Sequence, residues 1–355
     1  MAQEPERKRS NDLYILPPLI IMILIWAFAV ADWLMNHDVL RLIFSGYIGI
    51  FVGAGIGGFI AAPNRYRPYA RHLVILLLGS LLLVIAFVSE HGNMQIEGLF
   101  FALLAGGGSY IIIHYLIAKL IGPFIFGRVW CGWACWYGMI FDLLPYPFSH
   151  YRVSNKWGRL RYVHFTLSLI LVAVLWFGLG YDAGGNYRGM LWFALGVLFY
   201  YIIGIVMALL MKDNRAFCKY LCPIAVPLKA TSQFSLLKIS GTAEHCANCE
   251  ACVEMCPMNI RVKDYIMAGE RVLSTECTLC LTCVNVCPHE SLMISAAFDR
   301  GGKEYFDYDP SRGNRDYKER IKSITTTNEV QALADDSGVV PLYDRILQED
   351  DPANS

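Results

Sequence analysis

Long apolar stretches alternate with short polar ones over the first 211 residues, and then the pattern stops. Six stretches reach the roughly 20 helical residues needed to cross about 30 Å of hydrocarbon. They run over 15–35, 40–62, 71–90, 97–120, 161–180 and 189–211. The first is long and lacks the small-residue cleavage site of a signal peptide, so it is expected to stay in the membrane. Residues 212–355 are polar and hold ten of the twelve cysteines. The pattern therefore predicts an α-helical polytopic membrane domain of about six helices over 1–211, followed by a small water-soluble domain.

Basic residues sort the connections into two sides. The N-terminus (Arg7, Lys8, Arg9), the second connection (Arg65, Arg67, Arg71), the fourth (Lys119, Arg128, Arg152, Lys156, Arg159, Arg161) and the segment after the sixth helix (Lys212, Arg215, Lys219) hold fifteen. The three opposite connections hold two, Arg41 and Arg188. By the positive-inside rule both termini are cytoplasmic, which is consistent with six helices. The expected setting is a membrane with the soluble domain on its cytoplasmic side. The formal net charge is zero, which gives no case for nucleic-acid binding.

Residues 246–257 read CANCEACVEMCP and 277–288 read CTLCLTCVNVCP. Each is C-x2-C-x2-C-x3-C-P, the run that holds a [4Fe–4S] cluster in bacterial ferredoxins, where the fourth cysteine ligates the other cluster. Cys246, Cys249, Cys252 and Cys287 are assigned to one cluster, and Cys277, Cys280, Cys283 and Cys256 to the second. Disulfides do not suit a reducing cytoplasm, and structural zinc does not need two matched runs of this kind. The 31-residue spacing from Cys246 to Cys277 suits a pseudo-symmetric α+β ferredoxin-like domain over 241–298, with 212–240 as connector. Most of its stability would come from the clusters, because so short a chain buries little core. The tail, 299–355, is polar, either a surface extension or a docking segment.

Cys131 and Cys135, and Cys218 and Cys222, form two C-x3-C pairs on the same expected side. On a helix, residues four apart share a face, so each pair is expected to present two sulfurs in one direction. Arg128, Lys212, Arg215 and Lys219 would favour the thiolate. A third cluster, a redox-active thiol pair, a copper or other soft-metal site, structural zinc and inert buried thiols all remain open here.

His114 and His164 fall toward the cytoplasmic ends of their helices, His114 about six residues, roughly 9 Å, from the expected end. An ionisable group at that depth is a functional candidate. His114, His164, Tyr115 and Asp142 are the candidates for binding a quinone and taking its protons. Two imidazoles on neighbouring helices would also suit a b-type haem, a weaker reading. Gly49, Gly53 and Gly57 predict close helix packing, and Gly106, Gly107 and Gly108 a weakened fourth helix.

The combination of a multi-helix domain, GR-x-W-C-G-x-x-C at 127–135, F-C-x-x-x-C-P at 217–223 and two ferredoxin runs resembles the NapH-type membrane ferredoxins. Relatives include membrane modules of nitrous-oxide reductase maturation and cytochrome oxidase assembly. The resemblance covers roughly 120–298. It implies quinol oxidation or related membrane electron transfer through iron–sulfur clusters, with other redox proteins as partners. Trp136 departs from the pattern, standing where the first motif has proline. The leading expectation is an inner-membrane electron-transfer subunit, a quinol dehydrogenase-type component of a respiratory chain. The alternative is a metal (copper) reductase or metalloenzyme assembly factor using the four membrane-edge thiols. A structural anchor for a soluble dehydrogenase is the third reading.

Overall fold

The computed structural model describes residues 4–62, 66–88, 94–106, 110–146, 151–154, 156–181, 187–246, 248–287, 289 and 291–308. The chain opens with three long apolar helices, α1 (Glu4–Asn36), α2 (Val39–Ala61) and α3 (Arg67–Val88). A short helix, α4 (Ile96–Leu104), precedes α5 (Ile111–Phe126). Two single-turn helices follow, α6 (Val129–Trp133) and α7 (Trp136–Phe141). Two more spans, α8 (Trp157–Gly178) and α9 (Tyr187–Met211), complete the membrane domain. Helices α10 (Ala216–Tyr220) and α11 (Ala225–Ser232) lead into the soluble domain.

Among the described residues five helices are long and apolar enough to cross a membrane, namely α1, α2, α3, α8 and α9. The expected helix over 97–120 is two helices instead. Helix α4 stops at Leu104, and Gly106 has φ +65°, a left-handed conformation that glycine adopts with little cost. Gly107 and Gly108 lie outside the described residues. Helix α5 then runs on to Phe126, six residues past the expected end. His114 is therefore 12 residues from that end, about 18 Å, and the end itself packs on the connector to the soluble domain, where the Leu236 N–H donates to the Phe124 carbonyl.

Helix α4 also begins in an unusual place. Glu97, in its first turn, meets Tyr200 of α9, and Gln95 lies against Gly196. Tyr200 stands 11 residues before Met211, about 16 Å and close to halfway along α9. So the chain re-enters the helix bundle to start α4 at mid-depth. The surrounding core includes Phe101, Phe141, Phe193, Tyr137 and Tyr200. On the other side of the bundle α1 packs tightly on α2, where a Cβ on Gly53 would overlap Met22.

The soluble domain begins and ends with an antiparallel strand pair, β1 (Leu237–Gly241) and β2 (Leu292–Ala296), with Ile239 opposite Ile294. Between them lie α12 (Ala251–Glu254), α13 (Val262–Met267) and α14 (Thr282–Asn285). Ile239, Met258, Ile260, Val262, Tyr265 and Ile266 form its core. The domain is wider than the sequence boundaries at both ends. Strand β1 starts inside the expected connector. Residues 299–308, read as tail, fold back so that Phe306 bridges to Ile260 and Asp307 is buried. Asp299 pairs with Lys238 and Arg271 to fix this return. The remainder of the expected tail, 309–355, lies outside the described residues.

Candidate functional site

The two cysteine runs of the soluble domain share left-handed residues at matching positions. Asn248 and Glu250 flank Cys249 with φ of 59° and 62°, and Leu279 and Leu281 flank Cys280 with φ of 48° and 62°. Left-handed conformations at non-glycine residues cost roughly 1–2 kcal/mol each. Here they curl each loop around its sulfurs. The Ala251 N–H donates to Cys249, the Leu279 N–H to Cys277, and the Met258 and Ile260 N–H groups to Cys256. Such donors favour a thiolate over a thiol.

Cys246, Cys249, Cys252 and Cys287 line one small pocket. Cys256 lies within electrostatic reach of Cys277, Cys280 and Cys283. Each set thus draws three sulfurs from one run and one from the other. Four sulfurs with backbone donors suit a 4Fe–4S cube, which takes four thiolates.

The membrane-edge cysteines come together as well. Cys222 is within electrostatic reach of Cys218, Cys131 and Cys135. The expected geometry of each pair is corrected, since neither lies on one continuous helix. Cys131 is in α6, but Ala134 breaks it and Cys135 is extended, with φ −73° and ψ 121°. Cys218 is in α10, while Cys222 follows its end and precedes Pro223, which disfavours helix in the residue before it. Trp136 opens α7, the first helical position where proline is favoured, so the turn forms without one.

Burial also outweighs the expected effect of nearby cations on these thiols. It pushes Cys218 up to about 11 although Arg215 pulls the other way. Burial and the other three sulfurs raise Cys222 far above the ordinary thiol range. Cys218 and Cys222 therefore favour the thiol unless a metal displaces the proton. Lys212 is exposed, and Lys219 is committed to Asp213 and Asn259 at 2.7 and 2.5 Å.

One buried acid joins the two halves of the protein. Glu276, next to Cys277, accepts from Arg128, Arg161 and Lys229, each at 2.7 Å, with Arg152 at 3.6 Å. Burial alone would raise its carboxyl, but the four cations hold it well below the ordinary carboxylate range. Nearby, the Trp133 indole N–H donates to the Leu279 carbonyl at 2.8 Å. Gly132 packs against the Thr278 carbonyl, leaving no room for a Cβ. The 131–135 turn and the 277–283 loop therefore interlock.

The four quinone candidates separate. His114 and Tyr115 border a cavity of about 50 Å³ together with Cys131, Cys135 and Cys222. His164 lines a second, larger cavity of about 940 Å³, an apolar groove between α8 and α9. Asp142 lines neither. It takes a bidentate ion pair from Arg215, 2.6 Å at each oxygen, and a third bond from Arg71 at 3.0 Å. Burial would raise it, but these two guanidinium groups hold it at about 2. Arg215 and Arg71 also donate to the Cys131 and Gly132 carbonyls, so Asp142 positions the cysteine turn.

Three polar residues of the groove escaped the sequence reading. Gln95, Glu97 and Tyr200 line it with His164 and Ser168, and Gln95 and Tyr200 also border the thiol cavity behind it. Glu97 is 8% exposed and accepts from Ser168 at 2.7 Å and Tyr200 at 3.1 Å. The available signal was that Glu97 is the single acid within 97–120. Its place at the edge of an expected helix does not by itself set it apart.

Comparison with known proteins agrees with this layout. The family model for a 4Fe-4S binding domain matches residues 111–159 and 193–226, and that for a 4Fe-4S dicluster domain matches 238–288. Two uncharacterized proteins of Methanocaldococcus jannaschii are similar. One is 28% identical over 54% of this chain and 76% of its own length, the other 30% identical over 53% and 82%. The ferredoxin-type protein NapH of Haemophilus influenzae is 24% identical over 57% of this chain and 71% of its own length. No solved structure matches. With membrane-spanning helices, two 4Fe–4S domains and these relatives, the chain belongs to the NapH-type family of membrane-bound 4Fe–4S ferredoxins.

Proposed function

We propose that this protein exchanges electrons between an aqueous redox protein and a quinone in the membrane, through clusters held by its own cysteines. Cys246, Cys249, Cys252 and Cys287 would hold one cluster and Cys277, Cys280, Cys283 and Cys256 the second. Cys131, Cys135, Cys218 and Cys222 would hold a third. When bound, such clusters supply one-electron transfer. The chain's own contribution is alignment. The 277–283 loop interlocks with the 131–135 turn, that turn borders the thiol cavity, and the cavity shares Gln95 and Tyr200 with the apolar groove. This unbroken sequence of neighbouring sites carries the reading.

One further observation supports a third cluster. The two segments matched by the first 4Fe-4S family model each enclose one C-x3-C pair. The excess of basic residues on the connections beside the soluble domain supports a cytoplasmic orientation.

Iron and sulfide analysis of the purified full-length protein, with EPR, tests the cluster count. About twelve irons per chain are expected, falling to about eight in Cys131→Ser and Cys222→Ser. Eight in the unaltered protein removes the third cluster. Quenching of tryptophan fluorescence by decylubiquinone in lipid nanodiscs tests the quinone, since Trp192 lines the groove. Absence of saturable quenching sinks that part of the proposal.

A further inference from the structure

We infer that Glu97, relayed by Tyr200 to His164, is the group that exchanges protons with a quinone in the groove between α8 and α9. This deepens the quinone reading above and rests on it. The groove walls are apolar, from Leu171 and Leu198 among others, and suit a lipid-soluble ring. Its polar groups gather around Glu97. A carboxylate buried inside a membrane bundle is costly, and such residues mark ion or proton pathways. Glu97 Oε1 takes both hydrogen bonds, from Ser168 and Tyr200, while Oε2 is buried with no partner among the described residues. A glutamine could accept the same two bonds, so packing alone does not call for an acid.

The hydrogen-bond network is short by one proton. The Leu221 carbonyl can only accept, so the His164 Nδ1–H donates to it at 2.9 Å. With Nδ1 protonated, Nε2 of the neutral ring is an acceptor. The Tyr200 hydroxyl lies 3.1 Å from both Nε2 and Glu97 Oε1 and has one hydrogen for the two. One added proton completes the set. It can rest on Glu97 or on His164 Nε2, and it passes between them by reversing the hydroxyl of Tyr200. His164 is seven residues from the start of α8 at Trp157, about 10 Å, whereas Glu97 is at mid-depth. The relay therefore leads from the groove toward the side that carries the soluble domain.

The chemistry balances with the clusters as electron source or sink. Reduction of a quinone takes two electrons, delivered singly by 4Fe–4S clusters, and two protons that form an O–H bond on each ring oxygen. Each proton leaves the Glu97 carboxyl, and His164, itself protonated from water on the side of the soluble domain, replaces it through Tyr200. Oxidation of the quinol runs every transfer in reverse.

The test uses the full-length, cluster-loaded protein in lipid nanodiscs, reduced with dithionite and mixed with decylubiquinone. Glu97→Gln is expected to bind decylubiquinone within about twofold of the unaltered protein. Re-oxidation of its clusters should be about 100-fold slower, the low end of a lost proton-transfer group, and should no longer fall as pH rises. Glu97→Asp should recover part of the rate. The redox-induced infrared difference spectrum should lose a carboxyl band in Glu97→Gln. Tyr200→Phe, which keeps the ring, should slow re-oxidation about 10-fold and serves if Glu97→Gln fails to fold. Leu198→Trp, which fills the groove, should abolish binding. Unchanged rate and pH profile in Glu97→Gln overturn the proton assignment while leaving the quinone in place. Unchanged binding in Leu198→Trp overturns the groove, whose occupant is then a lipid chain. No decylubiquinone binding by the unaltered protein overturns the quinone reading itself.

Discussion

Arg128 and Glu276 meet at 2.7 Å, 148 residues apart in the chain, and each side chain is 1% exposed. Arg161, Lys229 and Arg152 complete a set of four cations around this one carboxylate, and with Glu304 3.9 Å from Lys229 the excess is two positive charges. Buried charge of one sign is unfavourable unless it is compensated. Cys277 follows Glu276 directly, and Cys131 and Cys222 lie within electrostatic reach of Arg128. Cluster-bound thiolates at these positions would supply the missing negative charge. The ion pair joins the membrane and soluble domains at the point where they would exchange electrons.

Glu276→Gln removes the one acid that all four cations share and leaves Arg128, Arg161 and Arg152 facing one another. The expected loss is about 3–5 kcal/mol, the range for breaking one partner of a buried pair. Denaturant unfolding followed by 4Fe–4S absorbance measures it. A change under about 0.5 kcal/mol, the size of an ordinary surface substitution, would mean that the ion set holds nothing together.

Both structural acids predict how the protein responds to acid. Asp142 drops from the ordinary value of 3.8 to about 2, and Glu276 lies well below 4.5. A depressed folded-state value stabilises fully above the unfolded-state pKa and is lost as pH falls through the folded one. Stability from Asp142 should therefore be intact at pH 5 and decline between about pH 4 and pH 2, by about 2 kcal/mol in total. Asp142→Asn should flatten that part of the curve, with the unfolding midpoint read at each pH. An equally steep decline in Asp142→Asn would refute the assignment.

Gly132→Ala should disturb the junction of the domains more than the domains themselves. The new methyl would overlap the Thr278 carbonyl, a backbone atom held by its neighbours. A cost of about 1–3 kcal/mol is expected from such overpacking. Faster protease cleavage between Met211 and Leu237, with both 4Fe–4S signals retained, is the expected signature. Wild-type cleavage kinetics would show that the two surfaces do not interlock in solution.

Cys287 sits in the second run of the sequence but lines the pocket of the first. Cys287→Ala should therefore perturb the same EPR signal as Cys246→Ala and spare the one altered by Cys277→Ala. The reciprocal holds for Cys256→Ala, which should behave as Cys277→Ala. Loss of the opposite signal in either variant would mean that each run holds its own cluster.

Much of this architecture was legible in the sequence, because local rules govern it. Hydrophobic length locates the long helices, and the cysteine spacing locates the loops that the backbone curls around their sulfurs. What escaped depends on long-range contact. Glu97 meets Ser168 71 residues away, and nothing near it in the chain tells of that pairing. Asp142 read as a proton acceptor because its two arginine partners, Arg71 and Arg215, lie 71 and 73 residues away. Length took 97–120 for one span; the Gly106–Gly108 run marked its weak point, but a glycine run does not tell a weakened helix from the left-handed turn found at Gly106. Trp136 shows the converse. A residue that breaks a motif leaves the backbone intact when its position tolerates many side chains.

The mid-depth start of α4 bears on how this protein is made. Glu97 leaves the ribosome 71 residues ahead of Ser168 and 103 ahead of Tyr200, the two partners of its carboxyl. Until α8 and α9 are synthesised, the acid has neither hydrogen bond. The contacts that hold the start of α4 therefore close only after the last two helices are in place, well after α4 itself has been made.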